Sequence, residues 1–162
     1  MVYRGIEFEL MQESDIDELT QIMKREFDKD TQEFLNEPSG GPDGYDNGDF
    51  LRKFGLNDNS TAYKIIKDNV IIGAIIVWIK SNGINYLGNI FVDSLIQDKG
   101  IGSIAWSFIE DTYPETIIWR TETPGFSKRN HNFYINKCGF NLIEIKDPKN
   151  KYEESYILEK RM

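Results

Sequence analysis

Three consecutive apolar runs, separated by two tight-turn signals, constrain the fold of this chain most strongly. Residues 61–67, 70–80 and 84–92 are rich in Ile, Val and aromatic side chains. The Asp-Asn pair at 68–69 and the Asn-Gly pair at 82–83 are typical of tight hairpin turns. The sequence therefore predicts an antiparallel meander of three strands in the middle of the chain.

The segments before the meander predict one strand, one helix and one loop. Residues 6–10 alternate apolar and polar side chains, as on a half-buried strand. Ser14 stands where a helix N-cap is expected, and apolar residues then recur at helical spacing until the helix ends near residues 28–30. Residues 36–49 are rich in Gly, Pro and Asp, which predicts a loop that serves as a lid or is simply mobile.

The segments after the meander predict a helix, a strand, a short helix and a closing strand pair. A helix begins near Gly100 and ends before Pro114. The remaining elements are a strand over 117–123, a helix over 129–137, and strands over 140–145 and 152–159. We expect one mixed sheet in a single domain, residues 1–162.

Composition excludes several classes of protein. Lys and Arg number 19 against 27 Asp and Glu, so the net charge of −8 argues against a nucleic-acid partner. Cys138 is the only cysteine, so we expect neither a disulfide nor a metal site. No apolar run is long enough to span a membrane, and the N-terminus lacks a secretory signal pattern, so we expect a cytoplasmic protein without membrane contact.

A glycine-bearing segment lies between the third meander strand and the next helix. Backbone N–H groups at such a helix start can bind a pyrophosphate, because glycines leave them accessible and the helix dipole attracts anions. A dinucleotide fingerprint would also fit, but such a fold opens with this unit, whereas here three antiparallel strands precede it. The residues of the segment are Gln97, Asp98, Lys99, Gly100, Ile101, Gly102 and Ser103.

Two motifs in this order resemble those of the GNAT acetyltransferases. Gln97-x-x-Gly100-x-Gly102, after a strand that ends at residue 92, resembles the acetyl-CoA pyrophosphate loop of that family. The second motif resembles a later helix of the family and reads Asn130-x-x-Phe133-Tyr134-x-x-Lys137-x-Gly139-Phe140. The resemblance implies an α/β (α+β) fold with a mostly antiparallel sheet of about seven strands, about four helices, and a cofactor cleft between two splayed parallel strands.

The resemblance also implies a set of site residues. Backbone groups of Ile90, Phe91 and Val92 would hold the pantetheine arm of acetyl-CoA, and Asn130 and Lys137 would assist cofactor binding. Tyr134 stands at the family position of the acid that protonates the leaving thiolate, although simple packing beside Phe133 is the other interpretation. An alkylammonium must lose a proton before attack, and Glu122 is the candidate base, with Asp93 as the second choice.

The acceptor is expected to be a small cationic amine rather than a protein. Tyr45 and Asp49 in the acidic loop are candidate substrate-binding residues, because a carboxylate and an aromatic face both attract a cation. Protein N-acetylation and a non-catalytic acyl-CoA sensor are the two alternatives. Strand edges after Phe140 would allow two chains to pair as a homodimer.

Overall fold

Eight strands pair edge to edge in one sheet in this computed structural model, which describes residues 1–96 and 100–162. The strands are β1 (Val2–Tyr3), β2 (Ile6–Leu10), β3 (Thr61–Lys67), β4 (Val70–Trp78), β5 (Ile84–Val92), β6 (Ile118–Pro124), β7 (Asn141–Lys146) and β8 (Ser155–Arg161). Their spatial order is β1-β2-β3-β4-β5-β6-β8-β7. Only β5 and β6 pair in parallel; each of the other neighbouring pairs is antiparallel.

Helices cover both faces of this sheet. They are α1 (Ile16–Leu35), which a 3-10 turn (Glu13–Asp15) precedes, α2 (Ile101–Thr112) and α3 (Lys128–His131). A π-helical turn (Asn132–Lys137) continues α3, and a second π-helical segment (Leu51–Gly55) precedes β3.

Strand β4 is buried on both faces, which explains its unbroken apolar sequence. Ala74 and Ile76 pack into the cluster that contains the apolar face of α1. Ile75 and Val77 point to the other cluster, which contains the apolar face of α2. All four side chains are at most 1% exposed, so the centre of the meander is the common wall of two cores.

The predicted fold class is confirmed, and so is the meander. The structure has one strand more than the seven expected, because the first residues add the two-residue strand β1. Ser14 lies inside the 3-10 turn rather than at a helix cap.

Helix α1 extends beyond the predicted end at residues 28–30 and stops at Asn36, which takes a left-handed conformation with φ of 56°. The prediction failed because Asp28 and Asp30 look like residues of an exposed helix end. Both are buried, at 9% and 8% exposure, by contacts with distant segments.

Asp28 anchors the loop that follows α1. The Tyr45 hydroxyl donates to Asp28 Oδ1 at 2.6 Å, and the Gly40 amide donates to the same oxygen at 3.1 Å. Burial and the Asp28 carboxylate raise the pKa of Tyr45 to about 12. Burial by itself raises the pKa of Asp28, but hydrogen bonds from Lys24, Tyr45 and Gly40 outweigh it, so the pKa is lowered.

No helix among the described residues is long and apolar enough to cross a membrane. The same residues contain no group of three or more His, Cys, Asp or Glu side chains that would hold a metal ion.

Strand β7 forms one edge of the sheet and exposes Leu142, Ile143 and Ile145. Pairing of two chains at this edge stays a prediction.

The Tyr45→Phe variant is expected to lower the free energy of unfolding by about 1–3 kcal/mol, because it removes a buried hydrogen bond to a charged group. Urea denaturation at pH 7 measures the change. Tyr152→Phe is the matched control, since the Tyr152 hydroxyl also bonds a carboxylate, Glu37, but its side chain is 54% exposed. Equal losses in the two variants would contradict the anchoring role.

Candidate active site

Strands β5 and β6 pair at only three positions before they separate. Ile84, Asn85 and Tyr86 lie opposite Ile118–Arg120 in parallel register, and no later residues of β5 and β6 pair with each other. At the point of separation the Thr121 hydroxyl donates to the carbonyl oxygen of Leu87 at 2.8 Å, in a buried contact. Beyond this bridge the two strands leave a cleft in the sheet.

A β-bulge in β5 lies at the start of the cleft. Val77 pairs with Leu87 and Ile76 pairs with Asn89, so Gly88 is the extra residue. A Cβ atom at Gly88 would lie 3.0 Å from Trp78 Nε1, so a side chain here would require Trp78 to shift. The bulge therefore turns β5 away from β6 without a side chain in the opening.

The backbone of β5 presents free polar groups to the cleft. The Asp93 amide donates to the Ile72 carbonyl at 2.6 Å, so its N–H points to β4. Because successive residues of a strand point their N–H and C=O groups to alternate sides, Phe91 also faces β4. Ile90 and Val92 then direct their backbone groups into the cleft.

A cavity of about 300 Å³ fills this opening, and we call it the cleft cavity. It brings together predicted site residues that are distant in sequence: Ile90, Phe91, Val92, Gly102, Glu122, Asn130, Tyr134 and Lys137. Helix α1 closes one side of it with Glu26, Phe27 and Asp30. The contribution of α1 was not anticipated from the sequence.

Tyr134 lies in the π-helical turn and is 6% exposed. Its ring packs edge-on against Phe140 with the ring centres 5.8 Å apart. Burial raises the pKa of Tyr134 above its ordinary value, and the neighbouring Cys138 and Tyr86 add to this effect, while Thr121 opposes it. The phenol is therefore protonated at neutral pH, and it lines the cleft cavity.

The start of α2 combines two glycines with different roles. Gly100 takes a φ of +100°, which favours glycine, and it precedes the first helical residue, Ile101. A Cβ atom at Gly102 would lie 2.9 Å from the Phe133 ring, so this glycine allows α2 to approach the π-helical turn. The first amides of a helix, here including Ser103, lack an intrahelical acceptor and can bind an anion. The predicted residues Gln97, Asp98 and Lys99 lie outside the described residues.

Asn130 on α3 and Lys137 in the π-helical turn also line the cleft cavity. The Asn130 side chain donates to the Thr123 hydroxyl at 3.1 Å, which ties α3 to β6. Lys137 is exposed at the end of the π-helical turn. The positions of both residues permit contact with a cofactor in the cleft.

A second cavity, of about 740 Å³, adjoins the cleft cavity. We call it the acidic cavity, because its described lining contains four glutamates and neither Lys nor Arg: Glu37, Glu122, Glu153 and Glu154. Phe27, Glu122 and Thr123 line both cavities. The Tyr152 hydroxyl bonds Glu37 at 3.1 Å and joins the loop after α1 to the segment before β8 across this cavity.

Glu122 lies on the wall between the two cavities, and its side chain is 40% exposed. It accepts a hydrogen bond from the Ser155 hydroxyl, and Lys146 Nζ approaches it to 4.0 Å. The Glu122 carboxylate can therefore meet a ligand that passes from the acidic cavity into the cleft.

The structure does not bring Tyr45 and Asp49 to either cavity. Tyr45 is 9% exposed and its hydroxyl is bonded to Asp28, so it stabilises the loop rather than facing a ligand. Asp49 is exposed at the end of the loop turns. The acidic residues that do line the cavity include Glu153 and Glu154, which precede β8, and no local pattern distinguishes them from ordinary surface residues.

Asp93 and two other polar or titratable residues near the cleft have structural contacts. Asp93 forms an ion pair with Arg25 at 2.7 Å and lies outside both cavities. The His131 ring stacks on Tyr156 and bonds the Pro124 carbonyl at 2.9 Å. Cys138 is 4% exposed, and burial raises its thiol pKa to about 12, so it is a residue of the core.

Comparison with known proteins assigns this geometry to a family. The model of the acetyltransferase (GNAT) family matches residues 16–140. The uncharacterized protein YrkN of Bacillus subtilis (strain 168) is 37% identical over 138 residues, which cover 85% of this chain and 74% of that protein.

Solved structures show the same fold at low identity. The PaiA N-acetyltransferase of Thermoplasma acidophilum, solved with coenzyme A, aligns with a TM-score of 0.74 and 13% identity, over 97% of this chain and 99% of that one. An acetyltransferase of Salmonella typhimurium that modifies the N-terminal serine of the ribosomal protein L7/L12 aligns with a TM-score of 0.71 and 14% identity, over 98% and 96% of the two chains.

The Thr121→Val variant is expected to lower the free energy of unfolding by about 1–3 kcal/mol, because it leaves the buried Leu87 carbonyl without a partner. Chemical denaturation measures the change. Thr112→Val is the matched control: its hydroxyl also donates to a carbonyl, that of Phe108, but this carbonyl keeps its helical hydrogen bond. A loss of less than about 0.5 kcal/mol at Thr121 would show that the bridge does not hold the two strands.

Proposed function

The chain belongs to the acetyltransferase (GNAT) family, and on this premise we propose that it transfers the acetyl group of acetyl-CoA to a primary amine of a small cationic acceptor. The observation that carries the proposal is the cleft between β5 and β6, with Tyr134 on its wall and the acidic cavity beside it. Donor and acceptor would meet at Glu122 and Thr123, which line both cavities.

The donor is proposed to enter from the α2 side of the sheet. The pyrophosphate of acetyl-CoA would lie on the amides of Ile101, Gly102 and Ser103, and on residues 97–99. The pantetheine arm would pair with the backbone groups that Ile90 and Val92 direct into the cleft, as an added strand does. One of these N–H groups would donate to the thioester carbonyl and stabilise the negative charge that develops on its oxygen.

The chemical step is a direct attack of the neutral amine on the thioester carbon. The ammonium form of the acceptor first gives a proton to Glu122, which passes it to solvent. The C–N bond then forms, the C–S bond breaks, and the electron pair leaves with sulfur. Tyr134 protonates this thiolate, and the second proton that the nitrogen loses on amide formation restores the phenol.

The raised pKa of Tyr134 is compatible with its role as the acid. A phenol with an ordinary pKa of about 10 gives its proton to a thiolate of about 8.5 only uphill. Burial raises the proton affinity of both anions, since the thiolate would form inside the same cavity as the phenol. If burial raises both pKa values equally, the difference between phenol and thiol keeps its ordinary value of about 1.5 units.

The acceptor is proposed to be small because the loop after α1 and the segment before β8 meet across the acidic cavity. The loop after α1 lines it with Glu37 and Gly41, and the Tyr152 hydroxyl bonds Glu37 from the opposite side. Phe27, Phe50 and Tyr86 add aromatic faces, which favour a cationic ligand. An N-terminal peptide amine is the second candidate, favoured by the fold shared with the L7/L12 enzyme.

A panel of amines tests the proposal. Release of free thiol from acetyl-CoA is measured with diamines, amino acids, aminoglycosides and peptides with a free N-terminal serine. We expect turnover with small cationic amines and little with peptides. An upward shift of the unfolding temperature with acetyl-CoA, but not with NADH, is expected as well; the absence of that shift would overturn the donor assignment.

The Tyr134→Phe variant is expected to lower kcat roughly 100-fold or more, because it removes the acid but keeps the ring that packs on Phe140. Steady-state kinetics measure this loss, and calorimetric titration is expected to show unchanged affinity for CoA. An unchanged kcat would mean that water protonates the thiolate.

The Glu122→Gln variant is expected to lower kcat/KM for a cationic amine roughly tenfold or more, since it removes the proposed proton acceptor and one negative charge of the acidic cavity. The dependence of kcat/KM on pH is also expected to differ between the Glu122→Gln variant and the wild type. Glu144→Gln is the matched control, because Glu144 is exposed on β7 and lines neither cavity. Equal effects of both variants would indicate only a general loss of attraction for cations.

A further inference from the structure

Asp30 is a buried carboxylate of the cleft cavity that the proposed chemistry does not use. It lies on α1 with 8% exposure and lines the cavity together with Asn130 and Tyr134. The buried Ser127 hydroxyl donates to Asp30 Oδ2 at 2.5 Å, and the Asn130 amide donates to Ser127 Oγ at 3.3 Å. One oxygen of the carboxylate is therefore held in place.

The other oxygen of Asp30 is buried without a hydrogen bond. Oδ1 has no hydrogen-bond partner among the described residues, and the nearest cation, Arg129 Nη1, lies 3.6 Å away. Arg129 directs its second terminal nitrogen to Glu33, with which it forms a hydrogen bond. A buried carboxylate oxygen without a donor is costly, and Asp30 lines the cleft cavity, so a donor bound there would offset this cost.

The charges around Asp30 favour a cationic donor. Asp30 and Glu33 together carry two negative charges against the single positive charge of Arg129. The charge of Glu33 raises the pKa of Asp30 and that of His131 on α3 lowers it, and Glu26 and Glu122 add carboxylates along the cavity. Burial raises the pKa of Asp30, and this effect outweighs the hydrogen bond from Ser127 and the charge of Arg129.

We propose that Asp30 Oδ1 binds the nitrogen of the acceptor amine in the cleft cavity, which Glu122 also lines. This inference rests on the proposed function and adds a second carboxylate to it. A primary ammonium group has three N–H donors, so one can give its proton to Glu122 while another donates to Asp30. Asp30 then holds the nitrogen in place as it becomes neutral and attacks.

Carboxylate NMR of the protein labelled with 13C-aspartate tests the proposal, with the Asp30 resonance assigned from Asp30→Asn. Methylammonium chloride is the probe, and tetramethylammonium chloride, which lacks N–H donors, is the control. At a pH above the pKa of Asp30, we expect methylammonium to shift the Asp30 resonance in a saturable manner. Tetramethylammonium is expected to cause no such shift. Equal responses to both salts, or no response to methylammonium, would overturn the proposal.

Two variants separate this role from a structural one. Asp30→Asn keeps an acceptor for Ser127, so its unfolding temperature should rise with acetyl-CoA as in the wild type, while KM for the acceptor amine rises roughly tenfold or more. Ser127→Ala should retain the methylammonium response with a higher Asp30 pKa, because the hydrogen bond that lowers it is lost. An unchanged amine KM in Asp30→Asn would overturn the proposal.

These measurements also distinguish the failure of this inference from the failure of the proposed function. The NMR titration contains no acetyl-CoA, so it reports on Asp30 whether or not acetyl transfer occurs. Transfer by the wild type without an Asp30 response would reject Asp30 alone. The absence of an acetyl-CoA shift and of turnover in the wild type would reject the proposed function.

Discussion

The early separation of β5 from β6 is the constraint on which the rest of the site depends. Two parallel strands inside a sheet normally satisfy each other's backbone groups along their full length. Here the pairing ends after Tyr86 and Arg120, and the Thr121 hydroxyl satisfies the Leu87 carbonyl. The backbone groups beyond this point remain open to a ligand, and a rigid, doubly buried β4 keeps β5 in place while β6 diverges.

The two faces of the sheet contribute different parts of the site. Helix α2 and the π-helical turn pack in one core and bring the glycine-rich helix start and Tyr134 to the cleft. Helix α1 belongs to the other core and adds Phe27 and Asp30. Because the cleft passes through the sheet, groups that would otherwise lie on opposite faces line one cavity, which suits a reaction between two ligands that enter from different sides.

Local patterns predicted the parts of the site that depend on backbone shape, and failed where side chains act at a distance. The turn signals at 68–69 and 82–83 predicted the meander, and the family motif located Tyr134 in the cleft wall. The acidic loop was interpreted as substrate-binding through Tyr45, yet its hydroxyl is used by Asp28 in the interior. The glutamates that surround the acidic cavity lie in segments far apart in sequence, so no spacing indicates that they converge.

The sequence by itself determined the fold class and the family, because periodicity, turn residues and a short motif are encoded in neighbouring positions. Tertiary structure alone decided where the buried carboxylates lie. Asp28 and Asp30 are two residues apart on one helix, but one anchors a loop while the other lines the cleft cavity with an oxygen that has no hydrogen bond among the described residues. The partners that determine this difference, Tyr45 and Ser127, come from distant segments that only the folded chain brings together.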